Sequence, residues 1–200
     1  NLYLYYGNAS APAGASPQAT LFPNIQTITG AQTLSGTIAA DWIHVNGATI
    51  NAPAGQPLVL RARRIIFAGT YNADFRGYGP QAGPGAGTNG GGSRGGSGGS
   101  YGGVGGSGGG GTSSPYGTAN GTDIDMGSGG GGSDCNASAA GGGAISLIGS
   151  SIDVNGTINV RGQSAQSCCC NNNSEAAGGG SGGGVLVRGD YLRGNGTINA

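Results

Sequence analysis

Short runs of alternating hydrophobic and polar residues recur along the chain. Residues 48–52 read ATINA, residues 58–62 read LVLRA and residues 64–68 read RIIFA, with turn-prone or charged breaks between them. Such alternation is typical of β-strands that bury one face. The strands fall within the repeat that separates Gly47 from Gly69, which is 22 residues long and matches one turn of a β-solenoid. The pattern therefore predicts an all-β protein, a triangular parallel β-helix with three strands per coil.

A short motif marks each predicted coil. It reads VNGATINA, AGTYNA, VNGTINV and GNGTINA, with SGTIAA as a looser copy. We expect the Asn-Gly pair, or its equivalent, to make a tight corner and the Thr-Ile-Asn segment to form the strand that follows. The glycines of these copies are Gly36, Gly47, Gly69, Gly156 and Gly196.

Stacked coils would place equivalent strand residues on top of one another, about 4.8 Å apart. The central residue of each motif should then line the interior, and the next asparagine should form a structural ladder on one side. The interior set is Ile50, Tyr71, Ile158 and Ile198, and the ladder set is Asn51, Asn72, Asn159 and Asn199.

Two glycine-rich insertions interrupt the repeat, at residues 74–143 and 161–184. Strand-like sequence resumes at Leu58, Ala144 and Val185, and each of these positions precedes the next motif glycine by 11 or 12 residues. Both insertions should therefore leave the solenoid at the same corner. The predicted solenoid of about four coils spans residues 25–200.

The insertions contain too few apolar side chains to build a core of their own. Flexible loops are the default for such sequence, but runs of glycine can also take the extended polyproline II conformation and hydrogen-bond to close neighbours. We expect a polyglycine II-like layer against the solenoid or against another subunit. Occasional tyrosines, Tyr78, Tyr101 and Tyr116, would anchor it.

Composition and charge narrow the function classes. The chain has 49 Gly and 8 Pro, eight arginines without a lysine, eight acidic residues and a formal net charge of zero. This balance gives no electrostatic case for nucleic acid or an anionic membrane as partner. No apolar run is long enough to span a membrane, and the start at Asn1 predicts a processed terminus or a fragment of a longer precursor.

Cysteines and glycosylation sequons both point to an extracellular protein. Three consecutive cysteines and one distant cysteine do not fit the spacing of a zinc site, so we expect disulfides whose pairing stays open. These are Cys135, Cys168, Cys169 and Cys170. Six Asn-x-Ser/Thr sequons are candidate glycan acceptors, namely Asn8, Asn120, Asn136, Asn155, Asn172 and Asn195.

Residues 1–24 lack the repeat and form a predicted N-terminal extension. Its LYLYYGNASA segment resembles the closing strand of a family of secreted, lectin-like β-sandwich domains of unknown function, over about the first 22 residues. The resemblance implies a strand that pairs within this chain or is donated to a neighbouring subunit. The strand residues are Leu2, Tyr3, Leu4, Tyr5 and Tyr6.

Catalysis would require clustered carboxylates of the kind used by the polysaccharide lyases and hydrolases that share the β-helix fold. The candidates are Asp123, Asp125 and Asp134, with Arg61, Arg63 and Arg64 nearby in the predicted solenoid. The aspartates lie in an insertion rather than on a strand, and their spacing matches no calcium repeat. We therefore expect no catalytic residue and no cofactor, with a weak calcium site as the remaining role for these aspartates. The single histidine, His44, is expected to be structural.

The glycine-rich solenoid resembles, in architecture and composition, secreted adhesins and surface fibres. The leading hypothesis is a structural subunit of an extracellular filament or cell-surface assembly that binds copies of itself through strand addition and coil stacking. The alternative is a carbohydrate-binding adhesin module with glycans as partners. A polysaccharide-active enzyme ranks below both, and an ice-binding surface is disfavoured because each coil offers one threonine rather than two.

Overall fold

The chain is built from β-strands. The computed structural model describes residues 24–91, 94–118, 124–133, 138–165, 167–170 and 173–200, with the backbone alone for 167–170 and 173–175. Within these ranges the regular structure comprises a 10-stranded parallel sheet and a separate pair of antiparallel strands, without a helix. Residues 1–23, which hold nearly all of the predicted N-terminal extension, lie outside the described residues.

The strands follow one another along the chain with short connections except at the two insertions. They are β1 (Ile25–Ile28), β2 (Ala31–Thr33), β3 (Gly36–Asn51), β4 (Leu58–Asn72), β5 (Ile145–Ile148), β6 (Ser151–Val154), β7 (Thr157–Asn159), β8 (Ser167–Cys170), β9 (Asn173–Ala176), β10 (Val185–Arg188), β11 (Tyr191–Arg193) and β12 (Thr197–Asn199). The antiparallel pair is β8 with β9.

Parallel pairing arranges the sheet in three columns. The first column contains the beginnings of β3 and β4, followed by β5 and β10. The second contains β1, the middle parts of β3 and β4, then β6 and β11. The third contains β2, the ends of β3 and β4, then β7 and β12.

The same pairing arranges the strands in five rows along the chain. The rows cover residues 25–33, 36–51, 58–72, 145–159 and 185–199, and we refer to the outer two as the first row and the last row. In the second and third rows a single long strand, β3 or β4, runs through all the columns, whereas the sequence predicted separate short strands. The later rows are divided into three strands, because Gly149-Ser150 and Asn155-Gly156 interrupt the fourth.

The register confirms the two predicted sets of stacked residues. Ile50, Tyr71, Ile158 and Ile198 are consecutive partners in the third column, and so are Asn51, Asn72, Asn159 and Asn199. The first three of the interior set are fully buried. In the asparagine set, Nδ2 of Asn199 donates a hydrogen bond to Oδ1 of Asn159, at 2.8 Å.

Side chains from all three columns share one hydrophobic core. Leu60 of the first column, Phe67 of the second and Tyr71 of the third are fully buried in the same cluster. The Tyr71 hydroxyl donates a hydrogen bond to the carbonyl of Ala144, at 2.9 Å, which satisfies its polar end inside the core. In β3 and β4, burial on one side of the strand follows directly from the alternation in the sequence.

The glycines of the four closer motif copies, Gly47, Gly69, Gly156 and Gly196, lie where the second column passes into the third, whereas Gly36 of the looser copy begins the first column. Gly47 has a positive φ of 61°, which residues with a Cβ rarely adopt. At Gly69 the constraint is contact between rows, since a Cβ there would lie 2.5 Å from the carbonyl oxygen of Ala48. Gly156 and Gly196 meet the backbone of the row before them in the same way. Close stacking therefore explains the repeated glycines as much as the turn does.

Both insertions leave the sheet at the same place. They follow Asn72 and Asn159, which are register partners, and rejoin it at β5 and β10, which pair with each other. Asp74 and Arg161 join the two exits, with the Arg161 backbone N–H and Nε at 2.8 and 3.0 Å from the Asp74 carboxylate. This carboxylate raises the pKa of the exposed Arg161 guanidinium.

The glycine-rich segments form a layer held by backbone hydrogen bonds. Gly127 N–H donates to the Gly142 carbonyl at 2.8 Å, and Gly142 N–H donates to Ser181 of the second insertion at 2.9 Å. The layer is attached to the sheet through Gly143 N–H and the carbonyl of Ala73, at 2.8 Å. The sequence left open whether this layer packs against the sheet of its own chain or against another subunit. The described segments pack against their own chain.

Absent side chains allow these backbones to approach one another. A Cβ added at Gly77, Gly127, Gly141 or Gly183 would fall within 3.0 Å of backbone atoms of a neighbouring segment. The anchoring tyrosines lie within this layer. The rings of Tyr101 and Tyr116 meet edge to face at 5.1 Å, and Tyr116 donates to the Met126 carbonyl and accepts from Ser128.

We expect Gly141→Ala to lower the free energy of unfolding by about 3 kcal/mol, because its methyl group would collide with the backbone of Gly127. The matched control is Gly106→Ala, where a Cβ meets nothing within 4 Å. It should leave stability unchanged or raise it by about 0.5 kcal/mol. Denaturant unfolding of both variants is the measurement, and equal stabilities would contradict the packed glycine layer.

Alkaline pH should destabilise the protein through its buried tyrosines. Burial raises the pKa of Tyr71 above its usual range and that of Tyr116 to about 12, whereas the unfolded chain releases these protons near the ordinary pKa of 10.0. The contribution of these tyrosines to the free energy of unfolding is therefore fully present below pH 10.0 and is lost as pH rises toward their folded-state pKa values. Tyr71→Phe should weaken this dependence and cost about 1 kcal/mol at neutral pH. Denaturant unfolding over a pH series tests both effects, and an unchanged alkaline slope would contradict them.

Candidate assembly surface

The last row leaves one edge of the parallel sheet open. Strands β10, β11 and β12 pair on one side with β5, β6 and β7, and no other strand of the described residues pairs with their outer edges. Such an edge presents backbone N–H and C=O groups that can bind a further strand. The open edge extends over all three columns.

Apolar side chains accompany this open backbone edge. Leu192 and Ile198 are 54% and 50% exposed, although their partners in the row before, Ile152 and Ile158, are fully buried. The difference arises because the fourth row is covered on both sides and the last row on one. Covering the last row would bury these side chains in an extension of the existing core.

The first row has a different chemical character. Gln26 and Gln32 occupy positions whose partners in the second row, Ile43 and Ile50, point into the core. Both glutamines are exposed, and Nε2 of Gln32 donates to the carbonyl of Thr29 at 2.8 Å. The two ends of the sheet are therefore not alike, since one is apolar and the other carries polar groups.

A polar network connects the last row with the fourth. Arg193 Nε donates to Asp153 Oδ2 at 3.0 Å, and Asn155 Nδ2 donates to Asp153 Oδ1 at 2.7 Å. The Asp153 side chain is mostly buried by its partners while the Arg193 side chain is largely exposed. This network fixes the outward face of the last row without using its open backbone edge.

Two predicted glycan acceptors are exposed on the sheet. Asn155 and Asn195 each precede a motif glycine, at the passage from the second column to the third. Asn155 also lines a shallow groove of about 340 Å³, together with Gly156 and Thr157. The other four predicted acceptors, Asn8, Asn120, Asn136 and Asn172, lie outside the described residues.

The predicted disulfide cysteines are only partly covered by the description. Cys168, Cys169 and Cys170 belong to β8, whose backbone pairs with β9, and their side chains are not described. Cys135 lies outside the described residues. The disulfide hypothesis therefore stays a prediction.

The aspartates considered for calcium are likewise divided. Asp125 is half-buried in the glycine layer, whereas Asp123 and Asp134 lie outside the described residues. Among the residues whose side chains are described, no group of three His, Cys, Asp or Glu could hold a metal ion. Arg63 Nε lies 3.7 Å from Asp41 Oδ1, and the Arg64 guanidinium lies over the ring of Trp42. Both arginines therefore contact residues of the sheet.

The predicted assembly strand, Leu2 to Tyr6, lies outside the described residues. Ile198 was predicted to line the interior, and that prediction is wrong because the last row is covered on one side only and leaves the side chain 50% exposed. Leu192 was not identified from the sequence. The signal for Leu192 was its spacing, because it precedes Gly196 by four residues, just as its partner Ile152 precedes Gly156. The pairing of Trp42 with Arg64 was also not identified from the sequence, although these residues are 22 positions apart, like the glycines Gly47 and Gly69.

Known proteins offer no guide to the role of this surface. No protein-family model matches the chain, and neither the curated proteins nor the solved structures include a significant match. No helix in the described ranges is long and apolar enough to cross a membrane. The geometry of the chain itself is therefore the basis for proposing a function.

Proposed function

We propose that the protein is a structural subunit of an extracellular filament or cell-surface assembly, which polymerises through strand addition and coil stacking. The observation that carries the proposal is the last row, whose outer backbone edge is open in all three columns and whose inward side chains are half exposed. A further row supplied by another copy would pair this edge and bury Leu192 and Ile198.

The proposal includes a finer description of the fold. The three columns are three faces of a parallel β-helix of about four coils, and each of the rows that enter every column is one coil. Support comes from the register between the second and third rows, which is 22 residues in the first two columns and 21 in the third, and from the single core shared by all columns. Four of the five rows contribute a strand or strand segment to every column.

The glycine layer belongs to the same proposal. Its segments adopt a polyglycine II-like arrangement, in which extended chains bond to several neighbours instead of one. Gly127 illustrates this, because its N–H donates to Gly142 and its carbonyl accepts from Tyr78 on a different segment. The layer stiffens the side of the subunit at which both insertions leave the sheet.

The partner of the last row is a second copy of this chain. Its Leu2–Tyr6 segment alternates leucine and tyrosine and fits an added strand better than the first row does, because Gln26 and Gln32 would place polar groups against Leu192 and Ile198. Coil stacking then continues the columns beyond the added strand. A contact of this head-to-tail kind generates a filament unless its geometry closes.

Further features support an extracellular location. The sequons at Asn155 and Asn195 are exposed and accessible to a glycosylating enzyme. Disulfides involving Cys135 and residues 168–170 would add stability in an oxidising compartment.

The proposal assigns no catalytic activity. A carbohydrate-binding adhesin is the second candidate function, and it is favoured by exposed aromatic residues on the second column.

Negative-stain electron microscopy of the purified chain tests assembly. We expect filaments of constant repeat, and we expect Ile198→Lys to abolish them because the charged side chain would be buried against the incoming strand. The matched control is Thr49→Lys, on the outward side of the third column and away from the open edge.

A second variant tests which part of the neighbouring copy binds. Removing residues 1–22 should abolish filaments while circular dichroism and the unfolding midpoint show an intact sheet. Dispersed particles from the unmodified chain would overturn the assembly function. Filaments formed equally well by Ile198→Lys would show that the last row is not the joint.

A further inference from the structure

The outward side of the second column carries a line of exposed large residues. Ile25, Trp42 and Tyr191 are 51%, 38% and 76% exposed, and they occupy the same position in different rows. The complete line is Ile25, Trp42, Arg64, Ser151 and Tyr191. An aromatic residue exposed on a flat sheet face is available for binding rather than for folding.

One aromatic member of the line is held by an arginine. The guanidinium carbon of Arg64 lies 5.6 Å from the centre of the Trp42 ring, within the range of a cation–π interaction. This contact orders both side chains before any ligand arrives, which lowers the entropic cost of binding. Trp42 and Tyr191 lie three rows apart, a distance of about 14 Å along the stacking direction.

A second line of outward residues, three of them polar, flanks the first. The adjacent outward position carries His44, Ile66, Asp153 and Arg193 in successive rows. Asp153 is fixed by Arg193 and Asn155 through hydrogen bonds of 3.0 and 2.7 Å. The surface therefore offers hydrogen-bonding groups in fixed positions beside its aromatic rings.

The outward face of the second column carries Arg64, Arg193 and Asp153, and it lies within a larger region of positive charge. The rows of the first and second columns, with the corner between them, hold five of the eight arginines and three of the eight acidic residues, which leaves a formal charge of +2. The arginines are Arg61, Arg63, Arg64, Arg188 and Arg193, and the aspartates are Asp41, Asp153 and Asp190. Because the whole chain is neutral, its remainder carries −2.

We propose that the outward face of the second column binds an acidic polysaccharide, lying along the stacking direction. Trp42 and Tyr191 stack against the apolar faces of sugar rings, and Arg64 and Arg193 of the same face bind carboxylate or sulfate groups. The interspersed aspartates and the small net charge fit a sugar chain with one carboxylate per ring better than the phosphates of duplex DNA, which lie about one per 1.7 Å of helix axis. This inference deepens the second candidate function and is independent of assembly, because one subunit carries the whole surface.

The test is binding of the purified chain to polygalacturonate, with neutral dextran and duplex DNA of matched mass as comparisons. We expect binding to polygalacturonate alone, weakened by added salt because arginines contribute to it. The Ile198→Lys variant, which removes assembly, should bind equally well per subunit. Loss of binding in that variant would overturn the inference that one subunit is sufficient.

Variants of the face locate the site. Trp42→Ala and Tyr191→Ala should each weaken binding about tenfold, and Arg64→Gln should weaken it while reducing its salt dependence. Thr49→Ala and Thr157→Ala, on the third column, are the matched controls and should bind as the unmodified chain does. Equal unfolding midpoints show that the variants are folded. Unchanged binding by both aromatic variants, binding to dextran as tight as to polygalacturonate, or equal binding to DNA would each overturn the proposal.

Discussion

Parallel backbone pairing between rows one strand spacing apart is the constraint on which the rest of the structure depends. It places chemically equivalent residues directly over one another, so that Thr70 meets Thr157 and Asn159 meets Asn199. It also forces the corners together, which leaves Gly69 and Gly156 no room for a side chain. The repeated motif is therefore a consequence of stacking, since each row must match the shape of the rows beside it.

The glycine layer applies the same constraint without side chains. Ordering glycine costs more backbone entropy than ordering any other residue. Here that cost is offset by hydrogen bonds between segments and by close packing of their backbones, as at Gly127 and Gly141. Two exits joined by Asp74 and Arg161 bring the insertions side by side, so that each supplies the other with donors and acceptors.

Repetition made much of the sheet predictable. The motif copies and the strand-like runs between them predicted three strands per repeat. They also predicted which residues stack in the third column, including the buried Tyr71 and its partners. Long strands through the corners were not predicted, because pairing to neighbouring rows overrides a local break such as Asn46-Gly47. The Trp42–Arg64 contact and the polar first row depend on which residues become neighbours in space, and such contacts became visible only with the register.

A stacked sheet has no intrinsic limit along its stacking direction, because the pairing that adds one row leaves an equivalent edge for the next. Something must therefore distinguish growth from termination. The polar Gln26 and Gln32 at the first row disfavour burial of that end, whereas Leu192 and Ile198 at the last row favour it. This asymmetry gives the stack a direction. In the proposed assembly, one apolar open end would add subunits in a fixed orientation, and Trp42 and Tyr191 on the outward side of the second column would stay exposed for contacts with other molecules.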